Sequence, residues 1–238
     1  KNHIPLSTIH LKAGLFGAEP WTLGMKEEIE KRLGIKAYDI YGLSEISGPG
    51  VSFGCDGSDG LHVNDDHFLI EIVDPVTGKV LPDGEKGEVV FTTLTKRALP
   101  LLRYNTHDIS SITHERCACG RTTMRLSSVI GRRGQMIKFK GTTLYPPALY
   151  DVLENIPGVN NYIIEVFTGS LGTDQIVLRI GSTRRDEAFE KEIKDTFRSK
   201  VRVAPEVVFE PVEYIAKKQM PQMSRKQIKF VDLREQTK

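Results

Sequence analysis

Apolar residues recur along the chain with two periods, and the change from one to the other predicts its elements. Ser7–Phe16 reads as a buried strand followed by a Gly-Ala-Glu-Pro turn. Pro20–Leu33 reads as a helix, with proline tolerated in the first turn and Gly34 as the stop. Lys36–Tyr41 is a second short strand, which gives a β-helix-β unit of α/β type. Leu61–Val73 alternates as one strand with Asp-rich polar positions. A β-hairpin region follows, punctuated by Asp74-Pro75 and Pro82-Asp83-Gly84 and carrying the β-rich run Val89–Leu94.

From Gly131 the texture changes. A short strand in "MIKFKG" precedes a helix entered through Pro146-Pro147. Strands are expected over 161–168 and 174–181, an amphipathic helix over 184–201, and a last strand over 206–212. The order β-α-β-β-α-β makes a small α+β domain. The expected organisation is an α/β domain over 1–131 with a β-hairpin region, then a small domain over 132–238, the boundary falling near Gly131–Gly134. No internal repeat or low-complexity tract interrupts it.

Composition narrows the classes. With 39% hydrophobic and 27% charged residues, the 238-residue chain is of ordinary globular type. A net charge of +2 gives no support for a wide nucleic-acid or membrane surface. No apolar run reaches membrane-spanning length, and no signal peptide opens the chain, so a cytoplasmic protein is expected. The chain enters a strand pattern directly without a start Met, which suggests that it begins inside a domain.

Four stretches carry candidate chemistry. "YGLSEISGPG" places Tyr41, a flexible turn and Glu45 together after a strand; an aromatic can stack on a base and a Glu can hold a hard cation. A plain turn with a solvated Glu is the alternative. "YNTHDIS" presents Asp108, and a carboxylate can accept from both hydroxyls of a ribose, although a simple turn Asp fits equally. Arg132 sits in a Gly-flanked joint that also reads as a basic linker. Lys226 lies in a Pro/Ser-rich loop that also reads as a solvated basic tail.

The three cysteines are too few, and odd, for a disulfide framework. Cys55-x6-His62 and Cys117-Ala-Cys119 bracket the hairpin region, and three thiols with one imidazole suit a tetrahedral Zn²⁺. Cys-x-Cys is tighter than the usual Cys-x2-Cys, and reduced cysteines without metal are the alternative. His67 and His114 are rival fourth ligands; His3, His10 and His107 read as ordinary polar or packing residues.

"GAEPW", "YGLSE", "LPLLRYNTHD", "GRRGQMIKFKGTTLYPP" and "SRKQIKFVDLR" occur in this order. Together they resemble the later motifs of the adenylate-forming acyl-CoA ligases, in the phenylacetate-CoA ligase and coenzyme F390 synthetase branch. The resemblance implies ATP/AMP, Mg²⁺ and CoA as cofactors and a small carboxylic acid, aryl or arylalkanoic, as substrate. It implies that Asp108 holds the ribose and Arg132 the same ribose or the phosphate, that Tyr41 stacks on adenine and that the backbone at Ala18, Glu19 and Pro20 lines the adenine pocket. Glu45 would place Mg²⁺, and Lys226 would reach the substrate carboxylate and α-phosphate. The small domain would rotate between the two half-reactions.

The chain departs from the family pattern at Arg225 and Lys229 around the lysine and at Gly134 in the hinge. The family's Ser/Thr/Gly-rich phosphate loop would lie upstream of these residues. The expectation is therefore the C-terminal portion of a ligase, inactive without the N-terminal half. Adenylyl transfer without CoA, or a non-catalytic nucleotide-binding partner, are the alternatives.

Overall fold

The computed structural model describes all residues except 1–7, 9, 19–22, 58–59, 140, 170–172, 222–225 and 235–238. The chain divides into two compact units, Lys1–Arg133 and Gly134–Lys238. Among the described residues no helix is long and apolar enough to cross a membrane.

The first unit runs β1 (Ala13–Phe16), α1 (Leu23–Leu33), β2 (Lys36–Leu43), β3 (Gly48–Phe53), β4 (Leu61–Val63) and β5 (Phe68–Val73). It continues with β6 (Gly87–Thr93), β7 (Tyr104–Ser110), β8 (Ile112–Thr113), β9 (Arg125–Leu126) and β10 (Gly131–Arg132). One sheet has the order β1-β2-β3-β4-β9-β8, the other β10-β7-β6-β5. β1 and β2 pair in parallel, as the intervening helix requires, and the remaining pairs of both sheets are antiparallel. Side chains of both sheets, among them Ile72, Phe91 and Leu126, share one buried core. Gly34 closes α1 at φ +65°, its N–H bonded to the Glu30 carbonyl over 2.9 Å.

Two expectations fail here. The strand expected over Ser7–Phe16 is described only over Ala13–Phe16, and it is not buried: Leu15 is 70% exposed. β1 is the edge of its sheet, and the apolar pattern there is not matched by burial. The single strand expected over Leu61–Val73 is two strands in two sheets. Between them Asn64 makes a turn: its carbonyl accepts from the N–H groups of His67 and Phe68, and its Nδ2 donates to the Gly50 carbonyl over 2.7 Å. Alternation continues across the turn, so periodicity alone cannot reveal it.

The second unit runs β11 (Ile137–Phe139), β12 (Thr142–Leu144), α2 (Pro146–Glu154), β13 (Asn161–Thr168) and β14 (Asp174–Gly181). After these come α3 (Glu187–Val201), β15 (Glu206–Glu210), α4 (Val212–Gln219) and β16 (Phe230–Asp232). Its main sheet has the order β15-β14-β13-β16. Phe189, Ile193 and Phe197, one face of α3, are fully buried in a core with Leu149, Leu153, Ile164 and Leu178. The Asp186 side chain caps α3 by accepting from the Phe189 N–H over 2.9 Å. β12, α4 and β16 add to the expected β-α-β-β-α-β order. The segment before β16 is anchored by Gln219, whose carbonyl accepts from the Ile228 N–H and whose buried amide donates to the Tyr162 carbonyl.

Candidate functional site

Asp108 is brought to its place by an irregularity in the second sheet. Asn105 pairs with Val90 and Ile109 with Glu88, so Thr106, His107 and Asp108 together oppose the single residue Val89. Such bulges re-aim side chains. This one is held by its own polar residues. Thr106 Oγ1 donates to the Val89 carbonyl over 2.9 Å and accepts from the Asp108 N–H over 3.1 Å. The His107 N–H donates to Asn105 Oδ1 over 2.8 Å, with His107 in the left-handed region at φ +60°.

Three separated motifs meet at the buried Asp108 carboxylate. Tyr41, on β2, donates its hydroxyl to Oδ2 over 2.6 Å. Arg132, directly opposite Asp108 in the β7–β10 pairing, donates Nε to Oδ1 over 2.9 Å. The Tyr41 ring stacks on Phe91, centroids 6.1 Å apart and 20° from parallel. Burial first, and then the Asp108 charge and hydrogen bond, push the Tyr41 phenol well above its usual pKa, so it remains a donor at any physiological pH. A carboxylate offers about four lone-pair positions, so two protein donors leave room for two more.

A second polar cluster, which the sequence reading missed, adjoins this one along the β6–β7 ladder. The buried Glu88 carboxylate accepts from Asn105 Nδ2 at 2.8 Å, with His107 Nδ1 at 3.1 Å and Arg133 Nη1 at 3.5 Å. Burial works to raise the Glu88 pKa, but the hydrogen bonds and the Arg133 charge outweigh it and hold the group below its ordinary range. His107, expected as an ordinary polar or packing residue, is a polar partner of this carboxylate. Only the cross-strand register reveals the contact, since Glu88 and His107 are far apart in sequence.

The other candidates are distributed as follows. Glu45 lies in the exposed turn between β2 and β3, and its carbonyl accepts from the Lys96 ammonium. Ala18 is exposed and left-handed at φ +68°; Glu19 and Pro20 lie outside the described residues. Lys226 is exposed, two residues before the anchored Ile228, in the second unit. Cys55, His62, Cys117 and Cys119 converge, each presenting a ligand atom within 4.8 Å of all the others. His67 and His114 are elsewhere, bonded to Thr95 and to Asp83.

A cavity of about 630 Å³ opens on the other side of β2. Tyr38 and Ile40 line it, and the two-residue period of a strand sends Tyr41 to the opposite face. Neither Tyr41, Asp108 nor Arg132 borders this cavity; Leu15, Phe53, Cys55 and Cys119 do.

No protein-family profile matches the chain. Curated relatives do. A phenylacetate-coenzyme A ligase of Thermus thermophilus is 41% identical over 198 residues, covering 83% of this chain and 42% of the relative. One of Aromatoleum evansii is 39% identical over 212 residues, covering 84% of this chain and 48% of the relative. Over most of its length the chain is similar to phenylacetate-coenzyme A ligases. It spans less than half the length of these two, matching their C-terminal part. Among solved structures, a 2-hydroxyisobutyryl-CoA ligase in its postadenylation state, in complex with R3-HIB-AMP, superposes with a TM-score of 0.78 at 24% identity. That match covers 93% of this chain and 48% of the ligase. An anthranilate CoA ligase in complex with anthranoyl-AMP gives 0.66 at 16% identity, over 92% of this chain and 43% of the ligase. At these identities the superpositions establish the fold alone, a mixed α/β architecture shared with these two proteins.

Proposed function

We propose that this chain forms the C-terminal part of an AMP-forming ligase that adenylates an aryl or arylalkanoic acid with ATP and passes the acyl group to CoA. The observation that carries the reading is the convergence of Tyr41 and Arg132 on the two oxygens of the Asp108 carboxylate. The curated relatives' names and the acyl-adenylates held by the two ligase structures support it.

In this reading Asp108 accepts from the ribose hydroxyls. Arg132, whose side chain is 57% exposed against 7% for Asp108, turns part of its guanidinium toward the ribose or the phosphate. Tyr41 offers its aromatic surface to adenine while its hydroxyl fixes the carboxylate. The segment 18–20 borders the adenine. Glu45 holds Mg²⁺, which when bound offsets triphosphate charge. Lys226, on the second unit, meets the substrate carboxylate and the α-phosphate, where two anions must approach and negative charge rearranges at phosphorus. The first unit is then the C-terminal part of the large AMP-binding domain and the second the small mobile domain.

The reading also requires the length that the relatives possess beyond these residues, and the exposed apolar face of β1 is consistent with a surface that such a half would cover. Leu11, Leu15 and Leu23 are 62%, 70% and 59% exposed.

Calorimetric titration of the 238-residue protein with AMP and with a non-hydrolysable acyl-adenylate analogue tests the site. Binding that is lost in Asp108→Ala is expected. Undiminished binding in that variant overturns the assignment of the ribose site.

A further inference from the structure

We propose that Cys55, His62, Cys117 and Cys119 bind one structural Zn²⁺ that clamps the β3–β4 loop to the β8–β9 loop. The inference is independent of the ligase reading.

The ligand atoms are spaced closely enough to share one metal ion. Ligand bonds of about 2.3 Å to sulfur and about 2.0 Å to nitrogen imply tetrahedron edges of about 3.8 Å between sulfurs and about 3.5 Å between sulfur and nitrogen. Cys55 Sγ and Cys117 Sγ are 3.5 Å apart, and Cys119 Sγ and His62 Nε2 are 3.3 Å apart. No ligand atom is more than 4.8 Å from another. The 3.5 Å sulfur separation is far beyond the roughly 2.05 Å of a disulfide.

Hydrogen bonds from the surroundings orient the ligand atoms. The Gly57 N–H points to Cys55 Sγ at 3.4 Å, and Arg121 Nη1 to Cys119 Sγ at 3.6 Å. Both are donors aimed at sulfur lone pairs, as around the ligand sulfurs of a metal site. His62 is fully buried, and its Nδ1 lies 3.0 Å from Thr123 Oγ1. The Thr123 hydroxyl holds the ring by Nδ1 and so orients Nε2, 3.3 Å from Cys119 Sγ, as the nitrogen that would coordinate.

The backbone is shaped for the same purpose. Gly120, at φ +87°, ends the Cys117–Cys119 knuckle and returns its N–H to the Cys117 carbonyl over 3.0 Å. Gly57 presses on the knuckle: a Cβ there would fall 2.3 Å from the Cys119 nitrogen. Two loops from distant parts of the chain are thus in backbone contact around the four ligands. Three thiolates and one imidazole fill a four-coordinate zinc, which leaves no open position for substrate or water. The role is therefore structural. The clamp also fixes Cys55 and Cys119 in the wall of the 630 Å³ cavity.

Elemental analysis of the protein purified without added metal, or after incubation with Zn²⁺ and gel filtration, should give about one zinc per chain, as a single closed site requires. Co²⁺ exchanged into the unmodified protein should give the intense visible absorption of a tetrahedral thiolate site, a readout that needs no variant. Cys117→Ser and His62→Gln should lower zinc content and melting temperature together, because binding and folding are coupled. His67→Gln and His114→Gln should retain full zinc. Two results overturn the proposal. One is zinc-free protein after incubation, with all three thiols reacting rapidly with a thiol reagent. The other is a two-dalton mass loss with one remaining thiol, which would mean a disulfide.

Discussion

Arg132 and Asp108 face each other directly across the β7–β10 pairing, joined by a 2.9 Å hydrogen bond, yet one is a buried anion and the other a largely exposed cation. The asymmetry separates their roles. Arg132 keeps much of its own hydration, so it contributes less to folding than the buried carboxylate does. The carboxylate, by contrast, is the acceptor on which the Tyr41 hydroxyl depends. Arg132→Ala should therefore weaken AMP binding about tenfold while the melting temperature barely moves, the tenfold being one charge-assisted hydrogen bond. Asp108→Ala should abolish detectable binding and also lower the melting temperature. Equal loss of stability in both variants would argue against this division.

Tyr41→Phe isolates the hydroxyl. The stack on Phe91 survives and the hydrogen bond to Asp108 does not. A bond to a charged group contributes about 1.5–3 kcal/mol. Denaturant unfolding should show a loss at the lower end of that range, since Arg132 still serves the carboxylate. An unchanged midpoint would mean that water replaces the hydroxyl at no cost.

Asp39 gives a pH dependence of defined sign. Burial raises its carboxyl from the ordinary 3.8 to about 6. The folded protein then holds a proton that the unfolded chain releases, so this group favours folding below about pH 4 and that contribution is lost as pH rises through about 6. Asp39→Asn should raise the melting temperature at pH 7.5 and leave it nearly unchanged at pH 4. Thermal scans at the two pH values decide the matter, and a variant destabilised alike at both would refute the burial argument.

Lys226 is tested in the ligase at the full length of its relatives. Lys226→Ala should slow adenylation by roughly 10²–10³-fold, the scale for one preorganised charge contact. Thioester formation from preformed acyl-adenylate should be spared if the small unit has by then carried the lysine away. Equal damage to both half-reactions would place Lys226 in a structural role.

Pyrophosphate exchange tests whether these residues suffice. The 238-residue protein with ATP, Mg²⁺ and phenylacetate should show no exchange above background, because the proposed triphosphate cradle belongs to the remaining length of the relatives. Robust exchange would show the site to be complete within this chain.

Local signals in the sequence determined much of this protein. A strand of period two and a helix with its cap are written in neighbouring residues, so β13, β14 and α3 are legible, as are the turn at Gly34 and the hairpin between β5 and β6. The ordered motifs around Tyr41, Asp108 and Arg132 marked the kinship with the ligases, and residue type and spacing alone marked the four metal-ligand candidates. What tertiary structure decided was every relationship that depends on register or on cover. The alternation in Leu61–Val73 is the same whether or not Asn64 turns the chain between two sheets. The apolar pattern of β1 signals burial, but burial needs a covering surface, and Leu15 remains 70% exposed. The three-residue bulge opposite Val89 exists only in the pairing of β6 with β7, and it is that pairing which aims Asp108 at Tyr41 and Arg132 and brings His107 to Glu88. Sequence names the residues of a site because chemistry restricts their types; only packing sets their distances, because those are fixed by backbone far away along the chain.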